Sequence, residues 1–165
     1  MNSAVLKSGL DALHYSGASS ALAPLTRGVG IIFMMHHIRP AHGEPFDPNG
    51  LLAITPDFLA AAVRRVRDRG WDIVSISEAV ERLRTPQPSN ARPFAAFTID
   101  DGYRDNLEHA LPVMKAASAP FTVYVTSGLP QGEAELWWVA LEQVIARTTS
   151  IAFAHNGASE TIATD

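Results

Sequence analysis

The stretch from Phe94 to Tyr103, Phe-Ala-Ala-Phe-Thr-Ile-Asp-Asp-Gly-Tyr, constrains this chain more than any other. It opens as a short uncharged run rich in β-formers. A run of this kind, bounded by turn residues, reads as a buried strand of a parallel sheet. It ends abruptly at two carboxylates and a glycine. In parallel α/β folds, ligands gather beyond the carboxyl ends of the strands. Neighbouring like charges are costly unless a cation or a shared proton neutralises them. Two readings of Asp100-Asp101-Gly102 are therefore open. One is a solvated turn, since Asp and Gly favour turns. The other is one side of a metal or acid–base site.

The rest of the chain alternates strand-like and helix-like segments. Leu6, Leu10 and Leu13, with Val5 alongside, predict a helix from about Ala4 to Tyr15, ended by Gly17 and packed on the outside of a domain. Pro24 and Gly28 mark a loop or a second short helix. Val29 to Met35 reads as a buried strand, with His36 and His37 at its carboxyl end. A loop rich in Pro and Gly, including Gly43, Pro45 and Pro48, follows to Leu51. Thr55-Pro56-Asp57 predicts a helix start, with Phe58, Leu59, Ala62, Val63 and Val66 inward and Gly70 closing it. The arginines near its end, Arg64 to Arg69, read as a solvated face.

Asp72 to Ile76 is expected as a strand, with a helix opening at Ser77 and Glu78. After Gly102, a helix is expected over Asn106–Ala117 with Leu107, Leu111 and Met114 inward, and Pro112 near its first turns or kinking it. Pro120–Val125 reads as a strand and Ser127-Gly128 as a loop. Leu136–Arg147 reads as a helix, and Ile151–Phe153 as the start of a fifth strand before a polar tail. Such alternation implies parallel strands with right-handed crossovers. The fold class expected is α/β, with residues 1–29 a helical leader and residues 30–165 one domain.

Composition narrows the function. A net charge of −4 and a pI near 5.8 disfavour nucleic-acid binding, which needs a basic patch. The chain has no cysteine, so disulfides and thiolate ligands are excluded. No stretch approaches the roughly 20 apolar residues of a membrane span. Nothing near the amino terminus reads as a signal peptide, and a cytoplasmic location is the default expectation. Polar clusters at two strand ends, His36-His37 and Asp100-Asp101, would share one face of a parallel sheet. His42, His109 and His155 lack a partner at ligand spacing and read as surface residues.

Thr98-Ile99-Asp100-Asp101-Gly102-Tyr103 resembles the first motif of polysaccharide deacetylases, the NodB-type members of carbohydrate esterase family 4. That motif usually reads Thr-Phe-Asp-Asp-Gly-Tyr. Met35-His36-His37-Ile38, Ile54-Thr55-Pro56-Asp57-Phe58 and Pro120-Phe121-Thr122-Val123-Tyr124-Val125 resemble neighbouring segments of the same family. Leu136-Trp137-Trp138 with Leu141-Glu142 resembles an insertion of one bacterial branch. The resemblance, from about Gly30 to Ile151, implies the first half of a distorted (β/α) barrel. It implies metal-dependent hydrolysis of N-acetyl groups on an acetylated amino-sugar polymer or oligosaccharide. Asp101 would bind a divalent metal, zinc being the expected one, and Asp100 would be the general base. Gly102 would let the backbone turn tightly. Tyr103 would wall the site, with His36 and His37 as further substrate-side residues.

The family's second motif, His-Ser/Thr-x-x-His, is absent from this sequence, so the expected ligand set is incomplete and the uncovered barrel edges invite association. The alternative reading is a non-catalytic sugar-binding or interaction module of the same lineage. A receiver-type domain would need acids in a different strand order. A haloacid-dehalogenase-type phosphatase would show Asp-x-Asp-x-Thr rather than adjacent carboxylates.

Overall fold

The computed structural model describes residues 3–164 apart from Arg27, His42, Glu44, Pro45, Gln87 and Ser89. The expectations for His42 and Pro45 lie outside these residues. Helices α1 (Ser3–Tyr15) and α2 (Ala18–Thr26) lead the chain and pack on each other. The expected packing of α1 against the domain is not seen. Its stripe of Val5, Leu6, Leu10 and Leu13 is exposed to solvent.

Strand β1 (Gly30–Met35) follows, then the two-residue β2 (His37–Ile38). A 3-10 helix (Pro48–Leu52), overlapping the end of the expected loop, leads into β3 (Ala53–Ile54), which pairs in parallel with β2. Helix α3 (Pro56–Asp68) starts where the sequence places it, with Thr55 Oγ1 accepting the Phe58 N–H at 3.1 Å. Leu59, Val63 and Val66 turn inward as expected, whereas Phe58 is exposed.

Strand β4 (Asp72–Val74) is shorter than expected, and Ser75 rather than Ser77 caps helix α4 (Ile76–Arg84). Ser75 accepts the Glu78 N–H, and Arg82 bridges Glu78 and Asp72, tying the helix back to its strand. Strand β5 (Phe94–Asp100) is buried from Phe94 to Ile99. After it, a π-helical turn (Asn106–Ala110) runs into α5 (Leu111–Ala116). Strand β6 (Thr122–Tyr124), the short α6 (Gly128–Gln131) and α7 (Trp137–Arg147) complete the alternating part. The loop expected at Ser127-Gly128 is instead the start of α6.

All pairings to β5 are parallel, so the expected α/β class with parallel strands is what the chain adopts. One edge of β5 carries β1 along its length, from Gly30 opposite Phe94 to Met35 opposite Ile99. The other edge is shared. β4 pairs with its amino half and β6 with its carboxyl half. The crossover rule then explains where the helices lie. From β1 the chain passes across β5 to β4, and α3 covers one face. From β4 it steps back to β5, so a right-handed connection sends α4 to the opposite face. From β5 to β6 it moves outward again, and α5 rejoins α3.

The packing agrees. Ala95, Phe97 and Ile99 bury against Leu59, Val63, Ala110 and Met114 of the α3–α5 side. Phe94, Ala96 and Val74 bury against Ala79 of α4.

Three expectations fail for identifiable reasons. β1 is not a buried strand; Met34 is 65% exposed and Ile32 48%, and the buried cluster that α4 forms on this face draws on β4 and β5 rather than on β1. Leu107 does not turn inward and is 66% exposed. The Leu111 N–H reaches the Asn106 carbonyl, five residues back, and Pro112 has no N–H to offer the preceding turn. That widened turn leaves Asn106, Ala110 and Met114 as the buried residues. The expected fifth strand is not part of the parallel series: β7 (Ser150–His155) pairs antiparallel with β8 (Ala158–Ala163). Asn156-Gly157, both with positive φ, closes this hairpin.

Replacing Leu59 with Ala removes a fully buried side chain between α3 and β5. Chemical denaturation is expected to show a loss of about 2–5 kcal/mol.

Candidate active site

β5 ends in a backbone turn that few side chains tolerate. Asp101 has φ 69° and Gly102 φ 70°. For Gly102 this region is free of the Cβ penalty; for Asp101 it is uncommon but accessible to Asp. The turn swings the second carboxylate out of the strand, where its Oδ1 accepts the Thr126 hydroxyl at 3.0 Å. Asp100 stays in register with Tyr124 of β6. Both carboxylates line an open cleft of about 560 Å³ with Ile32, Met34, Thr98, Tyr124 and Thr126. These strand residues share the face that α4 leaves uncovered.

The two polar strand ends seen in the sequence do come together. Met35 is opposite Ile99, so His36 follows β1 beside the end of β5. The His37 ring stacks on Tyr103, with centroids 3.8 Å apart and planes 28° apart. His37 Nδ1 lies 2.7 Å from Asp105 Oδ2, and Asp105 Oδ1 accepts the Ile38 N–H at 3.4 Å. A carboxylate only accepts, which puts the ring proton on Nδ1. None of Tyr103, His36 and His37 lines the cleft of Asp100 and Asp101.

Asn106, almost fully buried, closes the arrangement. With its carboxamide turned to satisfy both ends, it donates to the His36 carbonyl at 3.0 Å and to Asp105 Oδ1 at 2.8 Å. In the same orientation it accepts the Tyr103 N–H at 3.2 Å.

Burial pushes the Tyr103 phenol above its ordinary pKa. A hydrogen bond with the Trp138 side chain pulls it down, and the Asp101 and Asp105 carboxylates push it up. Trp138 belongs to α7, which Asn49 holds by donating to Glu142 Oε2 at 2.6 Å. Trp138 thus helps to enclose Tyr103.

Sequence reasoning passed over Asp105, Asn106 and Thr126. Asn106 carried a usable signal, since it stands four residues before Ala110 and eight before Met114, on their helical face. Asp105 and Thr126 carried none, because their partners are 68 and 25 residues away.

As metal donors, Asp100 and Asp101 are hard oxygen ligands suited in kind to a divalent cation. They do not suffice in number. Among the described residues there is no group of three or more His, Asp or Glu side chains that could hold a metal ion.

No protein-family model matches the chain, and no curated protein matches it in sequence. Solved structures do match. The deacetylase PplD of Streptococcus pyogenes, in complex with acetate, aligns over 68% of this chain and 51% of its own. The identity is 20% and the TM-score 0.50. IcaB from Ammonifex degensii aligns over 60% of this chain and 39% of its own, with 26% identity and a TM-score of 0.50.

The chain resembles the NodB-type polysaccharide deacetylases in fold as well as in motif. It spans about half or less of the length of these matched structures. Among the described residues no helix is long and apolar enough to cross a membrane.

Gly102→Ala tests the need for glycine at this turn directly. A Cβ there would lie 3.2 Å from Val125 Cγ2 on a backbone that favours glycine. The expected cost is about 1–2 kcal/mol in equilibrium unfolding.

Proposed function

We propose that this chain supplies the carboxylate side of a polysaccharide-deacetylase centre, one that hydrolyses N-acetyl groups on amino-sugar polymers or oligosaccharides. The observation that carries the reading is the left-handed Asp101-Gly102 turn at the end of a buried central strand. It sets Asp100 and Asp101 at an open cleft, within a Thr-Ile-Asp-Asp-Gly-Tyr motif. The likeness in fold to a deacetylase in complex with acetate supports it.

In this reading Asp100 is the general base that takes a proton from the attacking water. Asp101 is the contact to a divalent metal, with zinc as the expected ion. Tyr103 is a wall of the substrate site, with His36 and His37 behind it. The uncovered face of β1, β5 and β6 is read as the inner wall of a distorted (β/α) barrel. Its exposed Ile32, Met34 and Tyr124 support that reading, since such residues normally meet other side chains in a barrel interior. They also make this face the place where the chain would associate with further protein. The remaining metal ligands would come from outside the described residues.

That incomplete ligand set favours a second reading, in which the chain is a non-catalytic sugar-binding or interaction module of the same fold. Two measurements separate them. Isothermal titration with zinc is expected to give weak binding that Asp101→Ala abolishes. Incubation with tetra-N-acetylchitotetraose, with zinc present, is expected to release no acetate from the chain alone. Acetate release would show the site to be complete. Zinc heats unchanged by Asp101→Ala would remove Asp101 from the metal role. Sugar binding without any zinc binding would favour the non-catalytic module.

A further inference from the structure

We infer that Asp105 is a positioning residue, which holds the His37 ring flat against Tyr103 and so fixes the Tyr103 wall of the sugar site. The inference rests on the deacetylase reading for what the wall contacts, but its geometry stands apart from that reading.

Four observations carry it. Asp105 uses one carboxylate oxygen on His37 Nδ1 at 2.7 Å and the other on the Ile38 N–H at 3.4 Å, so it grips both the ring and the backbone of β2. The pair is largely withdrawn from water, with side chains only 13% and 16% exposed, where a charge-assisted hydrogen bond is stronger than at the surface. The gripped ring lies 3.8 Å from the Tyr103 ring, near-parallel to it. Asn106, one residue on, accepts the Tyr103 N–H and donates to the His36 carbonyl. The strand-end loops of β1 and β5 are thus clasped at three points, and Tyr103 is held by both its ring and its backbone.

The clasp also defines what His37 does. Its Nδ1 is committed to Asp105 and its face to Tyr103, so His37 acts through Tyr103 rather than as a contact in the carboxylate cleft. Asp105 lies four residues beyond Asp101 and lines no part of that cleft. Its substitution removes no lining group from that cleft and acts on Asp101 only by way of Tyr103.

The test compares Asp105→Ala and Asp105→Asn with the wild-type chain. In Asp105→Asn the amide can still accept from Ile38 and hydrogen-bond Nδ1 of the other imidazole tautomer. Val63→Ala serves as a control that weakens the core away from the clasp. The first readout is the proton spectrum of the His37 ring, whose resonances are expected upfield in the wild type because they lie over the Tyr103 face. Asp105→Ala is expected to lose that shift, and Asp105→Asn and Val63→Ala to keep it. The second readout is affinity for tetra-N-acetylchitotetraose, followed by tryptophan fluorescence. A loss of about tenfold is expected in Asp105→Ala, of the size that one charge-assisted hydrogen bond supplies, with recovery in Asp105→Asn.

A His37 shift retained in Asp105→Ala would overturn the clasp. A shift lost with affinity unchanged would overturn the positioning role. An equal affinity loss in Val63→Ala would overturn it as well, reducing Asp105 to a stability effect. Absence of sugar binding by the wild type would sink the deacetylase reading and with it the sugar-site role of the clasp. The His37 shift would then decide the geometry alone.

Discussion

Everything in the alternating part of this chain leans on β5. It is a strand with both edges paired and both faces covered along its amino half, and its residues from Phe94 to Ile99 are buried. A backbone so enclosed has its N–H and C=O groups satisfied by neighbours rather than water, which fixes the register of three other strands at once. Sharing one edge between β4 and β6 makes the chain reverse direction twice. Given right-handed crossovers, that reversal forces α4 away from α3 and α5. The uncovered carboxyl half of one face is therefore a product of strand order.

Much of this was legible in the sequence because local chemistry and global placement agree. Thr55-Pro56-Asp57 caps α3 as read, and Phe94–Ile99 is as buried as its lack of alternation implies. Where the reading failed, a non-local partner had decided. Val29–Met35 has the same apolar look as β5, yet β1 is half exposed because it ends up beside an uncovered face; nothing in its own residues says so. Leu107 was assigned inward from helical spacing, but the π-turn between Asn106 and Leu111 favours a buried, fully bonded Asn over a buried Leu. The Asn156-Gly157 hairpin is a different kind of miss. Its signal was present in the sequence, as a turn pair between two β-capable runs, and was read as tail.

The candidate site shows the same division. Asp100, Asp101 and Tyr103 follow from the motif and stand at the end of β5. The pairing of His37 with Asp105, and of Thr126 with Asp101, joins residues far apart in sequence and depends on strand order. The sequence shows which strand ends are polar. Only the fold shows that they are tied to each other through Tyr103 and Asn106 rather than through the carboxylate pair.

The position of α4 has one more consequence. Ile76, at its first turn, lines the far side of the cleft that holds Asp100 and Asp101. The cleft thus has an apolar side chain at its α4 end and lies open to solvent elsewhere, so a group approaching Asp100 meets hydrocarbon on one flank and the second carboxylate on the other.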